Sequence, residues 1–133
     1  MTRRNPTFLP AYINLGHILY KKGKIKRAQK IFDGILQLGV QDKTAFYNSG
    51  ITRFELGKAN EALPFLQKAS QLDPDFAPYH FSLGNVYKLL QRKQEALREY
   101  NLALKFDPNN SDFMNNRGVI LLRLNQIKLA EKD

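Results

Sequence analysis

The sequence predicts an all-α protein, a solenoid of paired helices, and three periodic series carry that prediction. Glycine recurs at positions 16, 50, 84 and 118, each 34 residues after the last, and alanine at 28, 62, 96 and 130 keeps the same interval. Asp73-Pro74 and Asp107-Pro108 are 34 residues apart, and Asn5-Pro6 stands in the same phase. A fixed interval of this length signals a stacked repeat, one supersecondary unit per period.

The elements follow in order from these series. Residues 1–8 read as the tail of an earlier repeat, then come repeats over 9–42, 43–76 and 77–110, and a partial repeat over 111–133. Within the first, apolar spacing predicts helix A over about residues 9–22 and helix B over about 25–37. Gly23 and Gly57 fall between the two helices of their repeats, where a left-handed residue turns the chain, and Gln91 and Asn125 take that place in repeats three and four. Each repeat closes where the residue before proline is pushed out of helical geometry, although repeat one has Val40 at that point.

Gly84 poses the sharpest local question. Leu83, Val86, Tyr87 and Leu90 place it inside a helix, where glycine costs about 1 kcal/mol relative to alanine. Close approach of the paired helix explains the cost, with alanine serving the same purpose in helix B. Gly16, Gly50 and Gly118 are expected to act alike.

These residues resemble the tetratricopeptide repeat family. Repeat three carries Leu83, Gly84, Tyr87, Ala96, Tyr100, Ala103 and Pro108, with His80 where an aromatic residue usually packs in the core. Repeat one offers Tyr12, Leu15, Gly16, Leu19, Ala28 and Phe32. Repeat two has Phe46, Gly50, Ala62, Leu66, Ala69 and Pro74, but Ser49 and Arg53 replace the expected Leu and Tyr, a departure expected to weaken local packing. The resemblance implies a right-handed superhelical solenoid of antiparallel pairs, acting as a protein-interaction scaffold that takes a peptide segment or partner protein in a concave groove lined by the A helices.

In the family's register the groove receives Ile13, Asn14, His17 and Tyr20 from repeat one, and Tyr47, Asn48, Ile51 and Phe54 from repeat two. Repeat three contributes Phe81, Ser82, Asn85 and Lys88, and repeat four Asn115, Asn116, Val119 and Leu122. Asn14, Asn48 and Asn116 keep the period, interrupted by Ser82, and a carboxamide can both donate to and accept from a peptide backbone. The same column can be solvated or bonded within the protein. The clamp with which some family members hold acidic chaperone tails needs lysines and an arginine, but its positions here hold Ile13, His17, Asn48, Pro78 and Ser82. Only Asn48 fits it.

Composition narrows the remaining classes. The 133 residues are 43% hydrophobic and 25% charged, as in a globular protein. The absence of cysteine removes disulfides and thiolate chemistry. His17 and His80 lie in different repeats with no phosphate loop or metal motif beside them, so neither an enzyme nor a cofactor or metal is expected. No secretory segment or membrane span is evident, which makes a cytoplasmic location the default.

The net charge of +9 is concentrated in residues 1–42, with eight basic and two acidic side chains. Lys21, Lys22, Lys24, Lys26, Arg27 and Lys30 surround the first interhelical turn, a patch suited to solvation or to an acidic protein. RNA binding there is a third functional reading, and a substrate-recruiting array of a larger enzyme, similar to the O-linked N-acetylglucosamine transferases, is the second. With Leu121, Leu122, Leu124, Ile127 and Leu129 poorly covered and no polar cap, the sequence is expected to be a fragment of a longer array or to associate head to tail.

Overall fold

The computed structural model describes residues 8–132, and among them it shows seven helices and no strand. They are α1 (Phe8–Lys21), α2 (Ile25–Gln37), α3 (Lys43–Glu55), α4 (Ala59–Leu72), α5 (Ala77–Leu89), α6 (Lys93–Phe106) and α7 (Ser111–Lys132). Two compact units divide between Leu72 and Asp73. In the first, α1 pairs with α2 and α3 with α4, while α2 also packs on α3; in the second, α6 packs on both α5 and α7. Asn5-Pro6 and most of the expected leading tail lie outside the described residues, and Phe8 opens α1.

The turns within the pairs are three residues long and share one backbone solution. Gly23 and Gly57 adopt φ of +79°, and Gln91 adopts +63°. The next residue then reaches back to the last helical turn: the Lys24 N–H donates to the Leu19 carbonyl at 2.9 Å, Lys58 to Arg53 at 2.8 Å and Arg92 to Tyr87 at 2.8 Å. These bonds satisfy carbonyls left unpaired at the helix end. At the helix starts, Asp42 accepts from the Ala45 N–H at 2.9 Å and Asn110 from the Phe113 N–H at 3.1 Å. The Asp-Pro pairs stop α4 at Leu72 and α6 at Phe106, as expected.

The periodic glycines receive a large side chain from helix B. A β-carbon on Gly16 would stand 2.4 Å from Phe32 Cζ, on Gly50 2.7 Å from Leu66 Cγ, and on Gly84 2.5 Å from Tyr100 Cε1. Phe32, Leu66 and Tyr100 are fully buried, as are Ala28, Ala62 and Ala96 beside them. The close approach is therefore of a side chain onto bare backbone. In the first unit Phe32, Ile35 and Ala45 gather Leu9, Ile13 and Leu19 around them, so Ile13 contributes to the core. In the second, Ala103, Leu104 and Phe113 gather Phe81 and Phe106.

The fourth repeat departs from expectation. α7 runs through Asn125 without a turn, Gly118 has nothing within 4 Å of a built β-carbon, and Ala130 is exposed. Asparagine tolerates helical geometry and does not enforce a left-handed turn, and no following helix folds back on Gly118 among the described residues. Leu121, Leu122, Ile127 and Leu129 are exposed, while Leu124 is half-buried.

Candidate protein-interaction surface

In the first unit α1 and α3 are in contact, and they present the expected groove residues in unequal ways. Asn14 is exposed. His17 is half-buried with its ring edge-on to Phe32, centroids 5.7 Å apart. The Tyr20 hydroxyl donates to Glu55 Oε1 at 3.2 Å, and burial together with this carboxylate pushes its pKa up. Tyr47, Ile51 and Phe54 are half-buried. Asn48 is buried, and its Nδ2 meets no acceptor among the described residues.

The polar Arg53 of repeat two finds an ionic partner on α2. Arg53 donates to both carboxylate oxygens of Asp33, Nη1 to Oδ1 at 2.9 Å and Nη2 to Oδ2 at 2.8 Å, while Nη1 also reaches the Ser49 carbonyl at 3.0 Å. Its guanidinium lies 4.0 Å from the Phe65 ring centroid. Burial alone would raise the Asp33 pKa, but the hydrogen bonds from Arg53, with that from Gln29 alongside, hold it below the usual carboxylate range. A bidentate ion pair joins α2 to α3 at the position where the family pattern has a tyrosine.

In the second unit Phe81 stacks on Phe113 at 4.6 Å. Ser82 is buried. Asn85 is committed internally: Oδ1 accepts from the Tyr100 hydroxyl at 2.6 Å, and burial pushes the pKa of that phenol up. Asn116 sits between two helices, its Nδ2 donating to the Asp112 carbonyl at 2.9 Å and its Oδ1 accepting from Lys88 Nζ at 2.9 Å. Burial and then the charge of Arg123 push the Lys88 pKa down. Three asparagines alike in sequence therefore differ in state: Asn14 is open, Asn48 buried and Asn116 bonded. Arg123 was not among the expected residues, although it lies seven positions after Asn116 and so shares its helical face.

His80 is part of the core, 5% exposed, its ring stacked on Phe106 and both nitrogens bonded. Lys21, Lys22, Lys24, Lys26, Arg27 and Lys30 are all exposed. Lys24, Lys26 and Arg27, with Gly23, Ile25 and Leu56, line a cavity of about 410 Å³ at the turn between α1 and α2. Among the described residues no group of three or more His, Asp or Glu side chains could hold a metal ion, and no helix is long and apolar enough to cross a membrane.

Comparison with known proteins agrees with this architecture. Models described as tetratricopeptide repeat match residues 9–38, 77–110 and 99–132, and one described as TPR repeat matches 50–91. The Hsp70-Hsp90 organizing protein of Triticum aestivum is 26% identical over 99 residues, 74% of this chain, which spans 17% of that protein's length. Among solved structures, the first TPR of Spaghetti (RPAP3) bound to the HSP90 peptide SRMEEVD has a TM-score of 0.82 at 22% identity, covering 86% of this chain and 90% of that one. YrrB, described as a TPR protein with an unusual peptide-binding site, has a TM-score of 0.79 at 27% identity over 86% of this chain and 59% of its own.

Proposed function

Since the chain belongs to the tetratricopeptide repeat family, we propose that it is a protein-interaction scaffold whose A-helix surfaces take up a peptide segment of a partner protein. The observation that carries this reading is the makeup of those surfaces. In each unit the same helices carry carboxamides and aromatic rings, Asn14 and Tyr20 on α1 with Tyr47 and Phe54 on α3 in one, and Phe81 on α5 with Asn116 on α7 in the other. Carboxamides serve backbone amides and rings supply anchors, a combination suited to peptide recognition. YrrB, at 27% identity, is itself described as having a peptide-binding site.

Pull-down from native lysate at low and high salt tests the reading. The unaltered chain is compared with an Asn14→Arg, Phe54→Arg variant shown by circular dichroism to be folded. A protein retained by the first and lost by the second supports recognition through the α1 and α3 surface. Equal retention moves recognition to another face, and nucleic acid released by salt favours the basic turn between α1 and α2.

A further inference from the structure

Lys88 is half-buried on α5, yet the only hydrogen bond it makes among the described residues is to a neutral oxygen, Asn116 Oδ1 at 2.9 Å. That oxygen is held in place, because Nδ2 of the same carboxamide donates to the Asp112 carbonyl at 2.9 Å. The other charge acting on Lys88 is the like charge of Arg123, and neither cation makes an ion pair among the described residues. A half-buried ammonium fixed on a held carboxamide oxygen, with the exposed Arg123 adding a second positive charge, forms a site whose missing component is an anion.

We propose that Lys88, Asn116 and Arg123 form a subsite for a carboxylate group of an acidic peptide lying on α5 and α7. The proposal rests on the peptide-binding reading and names the chemistry of what is bound. Lys88 and Arg123 supply charge-assisted donors, while Asn116 holds the ammonium in position. Val119 and Leu122, 42% and 59% exposed, occupy the stretch of α7 between Asn116 and Arg123. They offer contact to aliphatic side chains flanking the carboxylate and nothing to a phosphate backbone. Residues 77–133 carry nine basic and six acidic side chains, against eight and two in residues 1–42, so a polyanion has a stronger attractor elsewhere in the chain. The three positions also differ from those of the chaperone-tail clamp, which hold Ile13, His17, Asn48, Pro78 and Ser82.

The test uses the whole chain and four probes: an acetylated Leu-Val-Glu-Leu-Val amide, its glutamine counterpart, the glutamine peptide with a free C-terminal carboxylate, and a short oligothymidylate. Calorimetry gives affinities, and NMR follows the Lys88 ammonium and the Asn116 carboxamide. The carboxylate peptides are expected to shift both signals saturably and to bind about tenfold more tightly than the glutamine amide. The tighter of the two identifies a side-chain or a terminal carboxylate as the group held. Lys88→Gln and, separately, the exposed Arg123→Gln should each erase most of that preference. Equal affinity for glutamate and glutamine peptides overturns the subsite while leaving peptide binding in place. No saturable shift at Lys88 with any probe also overturns it, as does tighter binding of oligothymidylate there, which makes the site one for phosphate.

Discussion

His80 and Glu99 face each other at 2.9 Å across the α5 and α6 pair, while the second ring nitrogen of His80 lies 2.6 Å from the Pro74 carbonyl oxygen. A carboxylate and a carbonyl are both acceptors, so this geometry is fully satisfied when each nitrogen carries a proton and it favours the imidazolium. The Glu99 hydrogen bond raises the His80 pKa, burial opposes it, and the Pro74 bond and the charges of Glu99 and Asp75 add to the rise. Phe106, stacked on the ring, brings no charge. A raised folded-state pKa gives stability that is complete below the unfolded value and is lost as pH rises through the folded value. The second unit is therefore expected to soften on the alkaline side of neutrality. Amide exchange at Val86 between about pH 6 and pH 9 checks this, and His80→Phe should flatten the dependence.

The first unit is expected to respond in the opposite direction. The Asp33 pKa is held low by Arg53, so the stabilisation is present above the unfolded value and disappears as pH falls through the folded value. Exchange at Ser49 should accelerate on acidification below about pH 4, ahead of Val86. Arg53→Met, which strips the carboxylate of its partner and leaves burial to raise its pKa, should abolish or reverse that acid-induced loss while lowering stability at neutral pH. An unchanged acid profile in this variant would show that the pair contributes nothing to stability.

Two glycines of the same period predict opposite effects of one substitution. Gly84→Ala forces a methyl against the Tyr100 ring, which is buried and tied to Asn85, so overpacking of about 1–3 kcal/mol should exceed the helical gain of about 1 kcal/mol. Gly118→Ala meets no neighbour and should stabilise α7 by about 0.5–1 kcal/mol. Urea midpoints of the two variants settle both signs.

Gln91 occupies a left-handed conformation that Gly23 and Gly57 adopt without a side-chain penalty. Gln91→Gly should raise stability by about 1 kcal/mol, less whatever the Lys93 hydrogen bond to Gln91 Oε1 contributes. Thermal unfolding of the variant gives the sign.

Interval and turn chemistry made most of the fold legible before any coordinates. Gly23, Gly57 and the Asp-Pro pairs act within a few residues of themselves, so their meaning survives in one dimension. Asn125 failed because asparagine permits a turn that only packing can enforce, and Gly118 because its role depends on a helix B partner. The Asp33–Arg53 pair joins two different repeats at non-equivalent positions, which a single repeat interval does not connect. Asn14, Asn48 and Asn116 show the same limit at the site. The register identified them as equivalent, but whether a carboxamide is open, buried or bonded depends also on neighbours distant in the sequence, as Lys88 is from Asn116, 28 residues away.

The seating of Phe32 on Gly16, Leu66 on Gly50 and Tyr100 on Gly84 also bears on how fast the chain reaches its native state. Each contact closes a loop of 16 residues, regardless of how many repeats stand before or after it. Chain entropy is lost in small local instalments, with no long excursion to close first. A topology of such short-range closures belongs among the fast folders, and a helix pair can mature while the rest of the polypeptide is still being synthesised.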